Sequence, residues 1–409
     1  MTPIPVSVIV VSRDRPKALV RCVTALGQLR YPCFEVIVVA DQNGVAAIES
    51  SALGAAIKCI PFDEANISAA RNTGILHAAG EIVAFIDDDA VPEPSWLTYL
   101  TEPFRYRDVG AAGGYVRARN GISYQWKART IDAEGVETSL NLSADQPVVL
   151  TPKPATAIKT QGTNMAFRRP VLAKMGGFDP AFRYFHDDAD VNMRLAKQGV
   201  LTALVPLAEV HHGYQGNSSR KSNRVPRDLF QIGASWAVYL GKHCDTAKRA
   251  QVWARVQNNE RNRLLRHMVT GGLEPRDVSA MMRGLRQGYS EGLSRKLADL
   301  VPIADCEDTF RRFVGNETAK SEVISGRVWS AKSLRTRAIA KVKSGHIVTL
   351  LMMSPTALFH RIWFHDDGYW VQRGGLFGRS ERDSPLFRFY RFSRRVRVEC
   401  FRIHRQRLL

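Results

Sequence analysis

Residues 67–97 read ISAARNTGILHAAGEIVAFIDDDAVPEPSWL. Small and apolar residues at helical spacing predict a helix over 66–80, the run from 81 to 92 is a buried strand, and a second helix follows over 94–104. The strand runs straight into Asp87, Asp88 and Asp89. Three adjoining carboxylates repel one another and raise one another's pKa unless a cation neutralises them. A divalent metal is the simplest such cation, and hard oxygen donors suit Mg²⁺ or Mn²⁺. An isolated acidic triplet is also ordinary in a solvated turn or a helix cap; its place at the end of a buried strand favours chemistry.

Reading outward, PVSVIVVSRDRP at 5–16 is a β-branched run ending in polar residues and proline, the pattern of a buried parallel strand entering a loop. A helix over 17–30, with Leu19, Val20, Val23, Leu26 and Leu29 on one face, leads to a second strand, FEVIVVADQNG at 34–44. Ligands bind beyond the carboxyl ends of such strands. The loops Ser12–Arg15 and Asp41–Gly44 are therefore candidate binding loops, with a nucleotide as first guess. The alternation continues through AIKCIPF (56–62), a strand at Gly110–Val116, GTNMAFRR (162–169), a short helix near 170–175, a GGFD turn at 176–179, a helix from about Asp188 to Gln198 and the strand LTALVPLAEV ending near His212. Residues 118–160 show weak periodicity and read as a long substrate-facing excursion. After 225 come helices without strands, over 226–243, 247–270 and 275–290. The expected organisation is a catalytic α/β domain over 1–225, a helical extension over 226–319 and a basic, aromatic region over 320–409.

A chain of 409 residues, 45% hydrophobic and 24% charged, excludes wholesale disorder, a collagen-like fibre and a small disulfide-stapled module. Its 58 Lys/Arg against 39 Asp/Glu give a formal charge of +19 and a pI near 9.9, so a polyanionic partner is expected: nucleic acid, anionic lipid or a phosphorylated substrate. Residues 320–409 hold 19 Lys/Arg and 6 Asp/Glu. Cysteines 22, 33, 59, 244, 306 and 400 form no CxxC pair and no zinc spacing, and nothing at the N-terminus reads as a signal peptide, which makes a reducing cytoplasm the expected location. The apolar stretch Ile347 to Met353 is far short of the roughly 20 residues of a spanning helix. An integral membrane protein is therefore not expected.

VSVIVVSRDRP, FEVIVVADQNG, the 67–97 stretch, GTNMAFRRPVLAKMGGFDPAF and HDDADVNMRLAKQG resemble, in order, the segments of family 2 glycosyltransferases with the GT-A fold, over about residues 5–212. The resemblance implies a Rossmann-like α/β fold with a mixed, mostly parallel sheet flanked by helices, here followed by a helical and basic C-terminal extension. It implies an inverting transferase that takes a nucleotide-diphosphate sugar, with UDP the first candidate, and uses a divalent metal, Mn or Mg. By the same resemblance Ser12, Arg13 and Asp41 hold the nucleoside, Arg71 and Asn72 lie near the nucleotide, Asp87 meets the ribose and Asp89 the metal, with Asp88 the variable middle position of the donor-binding triplet. The family's common Thr-Tyr-Asn is Ser12-Arg13-Asp14 here, so a stacking tyrosine is lost. Asp188 aligns with the catalytic base and Asp187 stands where Glu is usual; Asp190 reads better as a helix-cap acid. His212 fits the family's metal-completing histidine with His211 as alternative, and since neighbours on a strand face opposite ways only one can reach the site. The resemblance further implies that Gly162, Thr163 and Asn164 form the turn beneath the donor sugar and that GGFD builds the acceptor side; Arg220 and Lys221 sit on a loop that could close over the diphosphate, and Trp96 and Trp126 are either sugar platforms or core.

The expected acceptor is a hydroxyl of a growing glycan or lipid-linked saccharide of the cell envelope. The basic region is expected either to rest on an anionic membrane surface, where each Lys or Arg contributes about 1 kcal/mol, or to form a helical pair or oligomer contact. Specific nucleic-acid binding lacks any recognisable signature, nucleotidyl transfer lacks a glycine-rich phosphate loop in VVSRDRP, and a degenerate sugar-binding module is the remaining competitor.

Overall fold

Strands covered by helices on both faces must be apolar throughout, and the two N-terminal strands meet that condition along almost their whole length. The computed structural model describes residues 2–142, 145–213, 216, 221, 223–297, 299–313, 315 and 317–409. The elements run, in order, β1 (Val6–Ser12), α1 (Pro16–Leu26), β2 (Phe34–Ala40), α2 (Gln42–Glu49), β3 (Lys58–Pro61), α3 (Ile67–Leu76), β4 (Ile82–Asp87), β5 (Ala90–Pro92), α4 (Trp96–Thr101) and β6 (Val109–Arg117). Five short strands follow, β7 (Tyr124–Trp126), β8 (Arg129–Asp132), β9 (Glu137–Ser139), β10 (Val148–Leu150) and β11 (Thr156–Lys159), then β12 (Met165–Arg168), α5 (Arg169–Lys174), α6 (Asp187–Lys197) and β13 (Leu201–His212). The rest comprises α7 (Phe230–His243), α8 (Thr246–Val269), α9 (Pro275–Leu293), β14 (Ser321–Arg327), α10 (Ala331–Lys343), β15 (Ile347–Ser354), β16 (Arg361–His365), β17 (Tyr369–Gly375) and α11 (Phe392–Arg407).

The main sheet has the order β10-β13-β6-β12-β4-β1-β2-β3, with β5 added to β13 and β7 to β6. Strands β3, β2, β1 and β4 are mutually parallel, β6 is parallel to β13, and β12 lies antiparallel between β4 and β6. This is the mixed, mostly parallel sheet that the sequence led us to expect. Alternation along β1 sends Val6, Val8 and Val10 to one face, against Leu19 and Cys22 of α1 and Leu97 of α4, and Ile9 to the other, against Ile75 of α3 and Leu195 of α6. Val11 of β1 pairs with Asp87 of β4, so the loop after β1 and the acidic triplet leave the same edge together.

Two regions differ from the sequence reading in detail. Gln42–Glu49 forms α2 where only a loop was expected, because Asp41 caps it through Gly44 N–H at 2.7 Å. The 118–160 excursion, to which the weak periodicity assigned no elements, holds a set of short strands, three of them forming a separate sheet, β11-β8-β9. Helices α7 and α9 touch backbone to backbone: a Cβ on Gly288 would lie 1.9 Å from Phe230 O and one on Gly233 2.0 Å from Leu285 O. The chain after α9 then straps back across the main sheet, with Phe313 fully buried beside Phe34 and its N–H donating to Phe34 O at 2.7 Å.

The last ninety residues are a small α/β unit, not a pair of basic helices. Its sheet has the order β14-β15-β17-β16, the first three strands parallel and β16 antiparallel. Its Ile362, Phe364 and Trp370 pack on Ala25, Val91 and Ile122 of the N-terminal α/β region. No helix among the described residues is long and apolar enough to cross a membrane.

Candidate active site

A cavity of about 360 Å³ opens where β1, β4 and β13 end and α6 begins, lined among others by Arg15, Arg71, Asp87, Asp89, Gly162, Thr163, Asp187, Asp188 and His212. Two acidic groups face it, and Arg71 joins them. This almost fully buried guanidinium pairs with Asp187, lies 3.5 Å from Asp87 Oδ1 and donates to Gly162 O at 3.2 Å. It also lies over the rings of Phe178 and Phe85 at 5.1 and 5.9 Å, which fixes the fork by packing as well as by charge.

On the first side, one ligand atom from each of Asp87, Asp89 and His212 lies within 4.8 Å of the others. His212 Nε2 is 3.1 Å from Asp89 Oδ1 and 3.9 Å from Asp87 Oδ2, and its Nδ1 is 2.9 Å from Gln125 Oε1. An Nδ1–H donating to that amide oxygen leaves the Nε2 lone pair turned to the carboxylates, the arrangement of a histidine metal ligand with its supporting partner. Two hard carboxylates and one imidazole fit a divalent cation such as Mn²⁺ or Mg²⁺. Burial disfavours the His212 imidazolium, but Asp89 and Asp87 outweigh it and raise the pKa. Asp88 turns away from the cavity: fully buried, it accepts from Ser12 Oγ at 2.6 Å and pairs with Arg15 at 2.7 Å. Burial, with Asp89 adding and Arg15 opposing, pushes its carboxyl up to about 7. Arg15 reaches on to Asp89 at 3.4 Å.

On the second side, α6 begins at Asp187 behind His186, which holds a left-handed conformation (φ 65°). Asp188 accepts from Gly162 N–H at 3.0 Å and from Ala189 N–H at 2.7 Å, so its carboxylate has one orientation. Burial, with Asp188 adding and Arg71 opposing, pushes Asp187 up to about 6. Asp190 lies on the opposite side of α6, paired with Arg194, Lys242 and His243, as a helix acid should.

Several residues expected at the site are placed elsewhere. Asp41 gives one oxygen to Gly44 N–H and the other to Asp14 N–H at 2.6 Å, Arg13 is exposed beside Asp14, and neither lines the cavity. Asn72 clasps the GGFD turn, donating to Phe178 O at 2.7 Å and accepting from Phe178 N–H at 2.8 Å. Trp96 is fully buried and donates through Nε1 to Asn164 Oδ1 at 2.8 Å, while Asn164 bonds Tyr115 O and Ala208 O; both belong to the core rather than to a sugar platform. Trp126 is core as well, under Arg129 and Lys159. Arg220 lies outside the described residues, and Lys221 reaches the cavity wall.

Sequence reasoning passed over Arg15, Gln125 and His186. Arg15 stands in the loop that the strand-end rule had marked, whereas Gln125 sits in the unassigned excursion and carries no signal. His186 is buried against Phe185, Trp236 and Tyr239, and its Nε2 has no hydrogen-bond partner. Burial, with Lys159 and His243 adding, holds its pKa well below the usual histidine range.

A family model described as glycosyltransferase like family 2 matches residues 3–262. The chain belongs to that family. The match of this family 2 chain runs past residue 225, through α7 and into α8. Among curated relatives, it is 29% identical over 262 residues to the O-antigen biosynthesis protein RfbC of Myxococcus xanthus, covering 59% of this chain and 20% of that protein. It is 25% identical over 248 residues to the pre-mycofactocin glycosyltransferase of Mycobacterium tuberculosis, covering 59% of this chain and 48% of that protein. The chain thus spans half or less of the length of these relatives. Among solved structures, GalNAc-T7 with UDP, GalNAc and Mn²⁺ aligns with TM-score 0.43 and 16% identity, covering 58% of this chain and 50% of that one.

Proposed function

We infer that this chain transfers a sugar, with inversion, from a nucleotide-diphosphate sugar to a hydroxyl of a growing envelope glycan, exopolysaccharide or lipid-linked saccharide. The observation that carries the reading is the placement of Asp87, Asp89 and His212 on one side of a single cavity and Asp188 on the other, with Arg71 between them. The names of the curated relatives, O-antigen biosynthesis among them, support a polysaccharide acceptor.

Asp89 and His212, with Asp87 beside them, would hold the divalent cation, which supplies Lewis-acid charge to the departing diphosphate. Arg15 and Arg71 add fixed positive charge on the same side. Asp188, oriented by Gly162 N–H and Ala189 N–H, accepts the proton of the acceptor hydroxyl as its oxygen bonds the anomeric carbon. The bond from that carbon to the phosphate oxygen breaks on the opposite face, which inverts the centre. Asp187 holds Arg71, and the unpaired Nε2 of His186 offers a neutral partner to a sugar hydroxyl. Asp87 in this scheme also faces the ribose; Gly162 and Thr163, whose buried Oγ1 has no partner, lie beneath the donor sugar.

Thermal-shift titration of the full chain with UDP-, GDP- and dTDP-sugars, each with and without Mn²⁺, tests the reading, because a ligand that binds only the folded state stabilises it. A metal-dependent shift with one nucleotide, followed by transfer to a saccharide acceptor, is expected. No shift with any of them in folded protein would count against the reading and leave a degenerate glycan-binding module or an unusual donor in its place.

A further inference from the structure

We propose that the C-terminal unit docks this protein onto the headgroup layer of an anionic lipid bilayer, through an arginine-lined aromatic face at the carboxyl ends of β14, β15 and β17. Its aromatic residues divide sharply. Phe364, Trp370 and Tyr390 are buried, whereas Trp329 is 70% exposed, Phe389 74% and Phe387 58%, together with Leu358, Phe359 and Leu386. The exposed ones are neighbours. Phe377 stacks on Phe389 at 5.4 Å and meets Phe387 at 5.6 Å; Phe377 and Phe392 share one apolar cluster, and Arg327 lies over both Phe392 and Trp329. Arg379 covers the Phe359 ring at 4.3 Å.

Beside them is a cavity of about 580 Å³ lined by Leu358, Phe359, Trp363, Arg361 and Arg373. Arg361 and Arg373 stand directly opposite each other on β16 and β17, both exposed. Neither has an ion-pair or hydrogen-bond partner among the described residues. Like charges opposite each other in an antiparallel pair are unfavourable, and an anion between them removes the repulsion. Large aromatic and aliphatic side chains projecting from loop tips, with arginines among them, suit the membrane interface, where rings settle at headgroup depth and guanidinium groups fork onto phosphates. The region holding this face carries 13 of the 19 net positive charges of the chain, so an anionic surface complements it where a neutral protein surface would not.

Flotation of the full chain with liposomes of phosphatidylglycerol in phosphatidylcholine, against phosphatidylcholine alone, tests this. Binding to the anionic liposomes only is expected. Each basic group at such a surface is worth about fivefold in partition, so Arg361→Gln with Arg373→Gln should weaken it by about 25-fold. The triple variant Trp329→Ala, Phe387→Ala, Phe389→Ala should remove the binding that survives high salt. The two sets change exposed side chains on different segments, and unchanged thermal unfolding of either suffices to read the result. Absence of flotation overturns the proposal, as does flotation that neither set alters. Release by RNA with the aromatic variants still bound would assign the face to nucleic acid, and a dimer broken by the aromatic variants would assign it to a second copy of the chain.

Discussion

His211 and His212 look to opposite sides of β13, and each meets a group of carboxylates. On the His212 side Asp87, Asp88, Asp89 and Asp187 share Arg15 and Arg71, and the carboxyls of Asp88 and Asp187 are pushed up to about 7 and 6. On the His211 side Glu93 accepts a bidentate pair from Arg407 at 2.9 Å, and Glu209 one from Arg117 at 2.9 Å. Burial opposes the Glu93 carboxylate, yet Arg407 holds its pKa well below the usual range. The first group is short of cations and the second is saturated with them. Both place two carboxylates and a histidine close enough for a metal, but in the second the internal arginines already neutralise the acids, so only the first is proposed to hold one. Geometry alone does not distinguish a site from a joint; the supply of internal positive charge does.

Substitutions should separate the two groups most widely in turnover. Asp188→Asn should lower kcat by about 10²–10⁴ while leaving metal-dependent donor binding intact, and Asp89→Asn should remove that binding; equal loss of both properties in both variants would break the assignment of separate roles. In the saturated group the large effect is on stability. Glu93→Gln leaves Arg407 buried and half paired, at a cost of about 3–5 kcal/mol, read from urea unfolding. Asp88→Asn, which keeps an acceptor for Ser12 and leaves Arg15 with Asp89, should cost about 1 kcal/mol or less. If Asp88→Asn destabilised as much as Glu93→Gln, the contrast would fail.

The two groups should also answer pH in opposite directions. In the cation-saturated group Arg407 holds Glu93 well below the usual carboxylate range. Glu399, a separate buried acid beside Arg402 and Arg395 on α11, is likewise held down, at about 2, against the pull of burial. A depressed carboxyl contributes fully above the ordinary value of about 4.3 and loses that contribution as pH falls toward 2. Asp88 and Asp187 are raised, so the folded state binds their protons more tightly, and stability declines as pH rises from about 4 through 6 to 7. Urea midpoints of the metal-free protein should therefore pass through a maximum between the two ranges. Mn²⁺ should lift the upper limb and leave the acid limb alone. The raised pKa of His212 adds a check, since a protonated ring cannot ligate: Mn²⁺ affinity should still climb above pH 6.5, and a flat profile would remove His212 from the metal.

The sheet up to His212 was legible because its strands, buried on both faces, leave near-continuous apolar runs that alternate with 3.6-residue periodicity. The small C-terminal sheet was less so. Ile347–Met353 has the length of a strand, but β14, with Glu322 and Arg327, is only half buried and hides among basic residues. Composition counts Arg407 as one more surface charge. Its partner Glu93 lies 314 positions earlier, and no local pattern records the pairing. At the candidate site, residue types and order singled out Asp89, Asp188 and His212, which lie around one cavity, while Trp96 and Asn164, equally plausible as sugar contacts, bond each other in the core.

Arg71 and Asn72 repeat the contrast at a smaller scale. The sequence assigned both to the nucleotide, but adjacent positions on α3 diverge: Arg71 faces the cavity, and the side-chain amide of Asn72 is engaged at both its nitrogen and its oxygen by Phe178. A Cβ on Gly177 would lie 2.3 Å from Asn72 Oδ1, so the turn closes tightly on this side chain. Asn72→Ala removes two hydrogen bonds of about 0.5–1.5 kcal/mol each and should lower stability by about 1–3 kcal/mol while the donor dissociation constant stays within twofold. Arg71→Ala should do the reverse in emphasis, weakening donor binding more than tenfold. A tenfold loss of donor affinity in Asn72→Ala, at unchanged stability, would move Asn72 into the nucleotide site and show that the clasp opens when donor binds.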